Sequence, residues 1–182
     1  MGGSLDRDIA GGYLSVMHRD HTYRALLVWE GNLGEGTSTY QGYDRRWRAF
    51  IEGKPDLVGT ADPAFRGDPQ RHNPEDLLVA ALSSCHMLSY LALCARNHVP
   101  VVSYSDEATG VMSTTPDGGG RFTGVTLRPR VEITDPGKAD EARKLHDKAH
   151  EQCFIASSVT FPVRHEAHVV VVAPGSVPRP LE

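Results

Sequence analysis

The 182 residues carry 19 Lys and Arg against 23 Asp and Glu, a formal net charge of −4, with 40% apolar and 23% charged side chains. That length suits one domain, and mild acidity with scattered cations argues against nucleic acid or an anionic membrane as the main partner. Three cysteines are too few, and odd in number, for a secreted disulfide scaffold, so a reducing, cytoplasmic setting is expected.

No apolar run approaches the ~18 residues needed to span a bilayer. The start, Met1 to Asp8, lacks the positive charge and apolar stretch of a signal peptide. One domain over 1–182 is expected, with its core at about 20–172 and flexible ends at 1–12 and 174–182. Tyr23 to Trp29 reads as a strand, closed by a Gly-rich turn over Gly31 to Gly36; Thr37 to Tyr43 and Trp47 to Glu52 are further strand candidates. Residues 53–72, rich in Gly, Pro and Asp, read as an ordered loop.

A long helix follows. Asn73 caps it, Pro74 suits the first helical position, and Glu75 and Asp76 place negative charge at the positive end of the dipole. Leu78, Ala81, Leu82, Cys85, Leu88 and Ala92 keep helical spacing, and Pro100 enforces an end. The helix is about 25 residues, or roughly 37 Å. From Leu77 to Ala95 it is apolar or small on nearly every side, so it must be buried on nearly every side, and a second subunit is expected to help. Val101 to Met112 and Phe122 to Thr134 are strands joined by a turn over Pro116 to Arg121. A second, amphipathic helix runs from about Pro136 to Cys153, and a last strand from Val159 to Val172. The order is α+β, with antiparallel sheets expected around the buried helix.

The cysteines carry the chemistry. Cys85 sits on the apolar face of the long helix and Cys153 at the end of the second. A thiolate with a second thiol far along the chain suits peroxide reduction, one sulfur taking the oxygen and the other resolving it. Cys85 and Cys94, nine residues apart on one helix, differ by about 180° in azimuth and ~13 Å in rise, so they cannot pair. Cys94 reads as a small buried hydrophobe. Within one subunit, Cys153 is the remaining partner. An apolar helix face raises a thiol pKa, so a cation must approach Cys85; Arg66 and Arg71, in the loop just before the helix, are the best placed. Glu75 is the natural carboxylate to hold that guanidinium, yet on a continuous helix it lies ~15 Å from Cys85, so it serves either as a cap or a second subunit's cysteine.

These stretches resemble the OsmC/Ohr family of cysteine-based organic hydroperoxide reductases. The resemblance rests on Asn73 to Leu78, on Ser84-Cys85, on Ala149 to Cys153, on Trp29-Glu30-Gly31 with Thr37, and on the element order across about 20–172. It implies an α+β fold built as an intertwined homodimer with two interfacial sites. Cys85 becomes the peroxidatic cysteine, Cys153 the resolving cysteine that forms a disulfide with it, and Glu75 the interfacial carboxylate. The activating arginine, placed in different loops in different branches of the family, maps first to Arg66, then to Arg71, with Arg45 and Arg46 behind. Phe154 stands where many members carry proline, and His86 follows the nucleophile. An organic hydroperoxide as substrate, an external dithiol as reductant and no cofactor complete the implication.

Phe65 and Phe154, with Arg71 and His86, are candidates to line an apolar substrate pocket. His146 and His150, four apart, could hold zinc with His86 or Cys85, but no Cys-x-x-Cys or His-Glu-x-x-His motif accompanies them, and no metal is expected. His150 is also placed to lower the pKa of Cys153 when protonated. Ser83, Ser84 and Asp76 lack a Gly-x-Ser-x-Gly elbow, so hydrolysis is set aside. A non-enzymatic, stress-protective or ligand-binding dimer is the alternative of a different class.

Overall fold

A computed structural model describes residues 20–175. The expected flexible start at 1–12, and the tail from 176 onward, lie outside them. Three short strands, β1 (Leu26–Trp29), β2 (Trp47–Phe50) and β3 (Leu57–Gly59), form an antiparallel sheet with Leu26 opposite Phe50 and Trp47 opposite Gly59. Gly59 is there for close approach: a Cβ would stand 2.2 Å from the Trp47 ring. β3 and a 3-10 helix at Pro63–Phe65 fall inside the stretch expected to be loop.

The expected strand from Thr37 to Tyr43 is absent. The Asn32 side-chain oxygen accepts the amides of Gly34 at 2.9 Å and Gly36 at 3.0 Å, and both glycines take positive φ. Their positive φ turns the chain just before Thr37, and within the segment the Gly42 amide donates to the Thr39 carbonyl at 3.1 Å, so it winds as consecutive turns rather than extending.

Helix α1 (Pro74–Arg96) begins with a capping box. Asn73 accepts the Asp76 amide at 2.8 Å, and Asp76 accepts that of Asn73 at 3.3 Å, so two orphan donors are satisfied at once. Each of the next two expected strands is divided, giving β4 (Val101–Asp106), β5 (Thr109–Thr114), β6 (Gly120–Leu127) and β7 (Pro129–Ile133). The breaks face each other: Asp106 accepts the Arg128 amide at 2.6 Å, and the Arg128 side chain reaches Thr109 at 3.1 Å and Glu166 at 3.0 Å. This polar staple lets one hairpin feed two sheets. The expected turn at Pro116 to Arg121 does join β5 to β6.

Helix α2 (Ala139–Gln152) is followed by a short helix α3 (Phe154–Ser157), which the sequence did not suggest. The final strand is also divided, into β8 (Val163–His165) and β9 (His168–Val171). β8 runs parallel to β6 and β9 parallel to β7, so the sheets β5-β6-β8 and β4-β7-β9 are mixed rather than purely antiparallel. Parallel pairing needs a crossover, and α2 provides it.

α1 crosses two apolar clusters. Leu82 packs with Val125 and Leu127, while Tyr90, Leu93 and Cys94 pack with Val131, Ile133, Ala142 and Ala149. Cys85 and His86 lie between them. Burial of α1 is not all-round in the single chain: Ala80, Ser84, Leu88 and Ala92, four apart, form an exposed stripe, with Leu88 at 63% exposure. An 18-residue window of α1 reaches a mean hydropathy of 1.8, long and apolar enough by composition to cross a bilayer, which corrects the expectation of no such run. Its inward face carries His86 and Tyr90 against α2, the packing of a core helix.

Candidate functional site

Cys85 is half-buried on α1, and Cys153 is 1% exposed at the joint between α2 and α3. At Cys153 the backbone turns extended (φ −75°, ψ 107°), its amide still donating to the His150 carbonyl at 3.3 Å. Its sulfur then accepts the Ala156 amide at 3.4 Å and caps α3. One residue thus closes one helix and opens the next. The two thiols are within hydrogen-bonding reach of each other, and burial, reinforced by Cys85, pushes the Cys153 thiol up to about 11. Near neutral pH Cys153 is therefore a protonated thiol held beside Cys85. Cys94 is buried on another face of α1 beside Tyr90, its thiol pushed up by burial.

The other candidates do not join the thiols within one chain. Glu75 sits in the first turn of the continuous α1, ten residues before Cys85, and its Oε2 is buried without a hydrogen-bond partner. Arg66 ends the 3-10 helix in the left-handed region (φ 68°), exposed, with no ion pair among the described residues. Arg71 pairs with Asp68 at 3.2 Å. Arg45 is occupied locally: its guanidinium lies 4.6 Å from the Tyr40 ring and 4.0 Å from the Tyr43 ring, and it donates to both their carbonyls. Phe65 and Phe154 are exposed.

His86, expected in the substrate pocket, instead turns into the contact between α1 and α2. Its Nε2 lies 3.1 Å from Nδ1 of His146, and both residues are buried. The Tyr90 ring stacks on His146 at 3.8 Å. His165, from β8, stands 5.5 Å from the His86 ring and meets Asp147 at 3.3 Å toward solvent. Burial, then the neighbouring histidines, lowers His86 to about 4 and His146 to about 3. The sequence signal is present, since His86 follows Cys85 and His146 lies seven before Cys153, but adjacency to Cys85 makes His86 read as a pocket residue and leaves His146 only in a zinc set that is put aside. Among the described residues no group of three or more His, Cys, Asp or Glu side chains is arranged to hold a metal.

A cleft of about 790 Å³ opens on another side of α1, lined by Glu75, Val79, Ser83, Met87, Met112 and Phe122 among others. Ser83 donates to Asp106 at its edge at 2.6 Å. None of the aromatics named from sequence lines it. Phe122 does, and its helix-facing position depended on a β5–β6 register bulge that no sequence pattern announces.

The family model for OsmC-like protein matches residues 67–168. Among solved structures, an OsmC-like protein of unknown function from Vibrio cholerae is 32% identical, with 81% of this chain and 99% of that one covered and a TM-score of 0.72. An organic hydroperoxide resistance protein from Elizabethkingia anophelis is 16% identical, with 86% and 100% covered and a TM-score of 0.60. The organic hydroperoxide resistance protein OhrB of Bacillus subtilis is 19% identical, with 82% and 98% covered and a TM-score of 0.54. No curated protein matches. The facing thiols, the capped central helix and a family match spanning both cysteines agree: this chain belongs to the OsmC family.

Proposed function

We propose that this protein is a thiol peroxidase that reduces organic hydroperoxides to alcohols. The observation that carries the reading is the juxtaposition of Cys85 and Cys153 from two separate helices. The Cys85 thiolate attacks the distal peroxide oxygen; the O–O bond breaks, the alkoxide leaves and takes a proton as the alcohol, and Cys85 becomes a sulfenic acid. The Cys153 thiol then displaces water from that sulfur, its proton leaving with the hydroxide, and a disulfide forms. An external dithiol returns both thiols by exchange. No cofactor enters.

A homodimer supplies the remainder. The exposed stripe on α1 and the exposed Leu26, Leu27 and Phe50 of the first sheet form apolar surface that a second copy would cover. Across that interface Glu75, with its unpartnered buried oxygen, would hold Arg66 against the other subunit's Cys85 and stabilise the thiolate. Phe65, Phe154 and Arg71 would border the entrance. Three free thiols fit a reducing cytoplasm.

The test is consumption of cumene hydroperoxide and of hydrogen peroxide by wild type and by Cys85→Ser. Turnover that prefers the organic peroxide and vanishes in the variant is expected. The 790 Å³ cleft, which contains neither active thiol, favours a second reading as a non-enzymatic ligand-binding dimer. On that reading wild type and Cys85→Ser would be equally inert toward peroxide.

A further inference from the structure

The His86–His146 contact has a geometry with one meaning. The ring centroids are 5.4 Å apart and the facing nitrogens 3.1 Å apart, so the difference, 2.3 Å, equals two centroid-to-nitrogen radii of imidazole. The rings are tilted by 7°. The two nitrogens therefore point at each other along one line in nearly one plane. That is the arrangement of an N–H···N hydrogen bond between two neutral imidazoles. It excludes a metal between them, because lone pairs aimed head-on at this distance do not converge on a third point at metal-ligand length.

This bond belongs to a ladder. Tyr90 on α1 donates to the Ala142 carbonyl on α2 at 3.2 Å, and His86 meets His146 one helical turn further along both helices, which run antiparallel. At the end of the contact far from the thiols the Lys138 ammonium donates to the Asn97 carbonyl at 3.0 Å through a flexible chain, and the packing between is apolar, through Leu93, Cys94 and Ala149. Apolar packing fills space but tolerates small slides and rotations of one helix on another, whereas an in-plane bond between rigid rings does not. The ladder ends at the thiols. Cys85 precedes His86 on α1, and Cys153 lies seven residues after His146, which returns it to the same side of α2. The groups facing the pair are Tyr90 from α1, His150 and Asp147 from α2, and His165 from β8.

We infer that the His86–His146 hydrogen bond is the positioning device that fixes the register of α2 on α1 and thereby holds the Cys153 thiol in reach of Cys85. The inference deepens the peroxidase reading, in which these thiols close to a disulfide, but its test is independent of peroxide. The full chain is equilibrated in buffers of reduced and oxidised glutathione. Glutathione disulfide takes two electrons from the Cys85 and Cys153 thiols, which become a disulfide as two glutathione thiols form. The equilibrium constant reads how well the thiols are juxtaposed.

His86→Leu and His146→Leu should each lower that constant about tenfold or more. The His86→Leu/His146→Leu double variant removes both polar groups at once, so it should regain the thermal midpoint but not the constant. The His86→Gln/His146→Asn double variant places amide atoms at the Nε2 and Nδ1 positions and should regain both. If the leucine double variant recovers the constant, or the amide double variant stays as low as the leucine one, the inference is overturned. These two double variants decide it even where the single variants do not fold. Wild type that forms no Cys85–Cys153 disulfide at any glutathione ratio overturns it too. A wild type that leaves cumene hydroperoxide untouched, yet shows the expected order of constants, sinks the peroxidase reading alone.

Discussion

Cys153 faces Cys85 from a different helix, 68 residues further along the chain, and does so as a buried thiol whose proton is hard to remove. The two thiols differ in setting: Cys85 is half-buried, whereas Cys153 is buried and stays protonated near neutral pH.

Alkylation of Cys153 by iodoacetamide should rise with a midpoint near pH 11, and in Cys85→Ala that midpoint should fall, because the Cys85 hydrogen bond is lost while burial remains. Because the folded pKa exceeds the unfolded one, this thiol's contribution to stability is complete below about pH 9 and is lost as pH rises through 11. Mass spectrometry of the alkylated peptide at graded pH checks it. A midpoint unchanged by Cys85→Ala would separate the two thiols.

The buried histidines act in the opposite direction. His86 and His146 are lowered to about 4 and about 3 from 6.5, so below 6.5 the unfolded chain binds protons that the folded chain refuses. Stability should be complete above pH 6.5 and fall with acid by about 1.4 kcal/mol per pH unit for each histidine. Urea midpoints from pH 7 to pH 4 should show this slope in wild type and a shallower one in the His86→Leu/His146→Leu variant.

Gly59→Ala should cost roughly 2 kcal/mol, since its methyl would enter the Trp47 ring and the carbonyl of His72, which is backbone and cannot yield. Thermal unfolding followed by Trp47 fluorescence measures it. A variant as stable as wild type would mean that the first sheet yields readily at the Gly59–Trp47 contact.

Leu88→Glu places a charge on the exposed stripe of α1, where it is harmless to a lone chain and costly at an interface between copies. Wild type should sediment as a dimer and the variant as a monomer at micromolar concentration. Two equally monomeric proteins would leave Glu75 without the partner proposed for it.

Much of this was legible because local chemistry and global fold agree. The cap at Asn73, the periodicity of α1, the turn at Pro116 to Arg121 and the separation of Cys85 from Cys94 all follow from spacing alone. What was missed depends on long-range partners. Thr37 to Tyr43 has strand composition, but the Gly42 amide folds back onto the Thr39 carbonyl within it; the split strands depend on Asp106 meeting Arg128, 22 residues away. His86 looked like a pocket residue because it adjoins Cys85, although neighbours on a helix point about 100° apart and its true partner lies 60 residues on.

The cap that Cys153 gives to α3 ties the sulfur's oxidation state to the backbone. A thiol sulfur accepts the Ala156 amide; a sulfur drawn toward Cys85 in a disulfide shifts away from it. α3 is one turn long, so the loss of one such bond is a large part of what keeps it wound. On the proposed mechanism the Ala156 amide would serve as a built-in redox gauge. Its hydrogen exchange should quicken when the pair is oxidised and slow again on reduction, with no dye or label added to the protein.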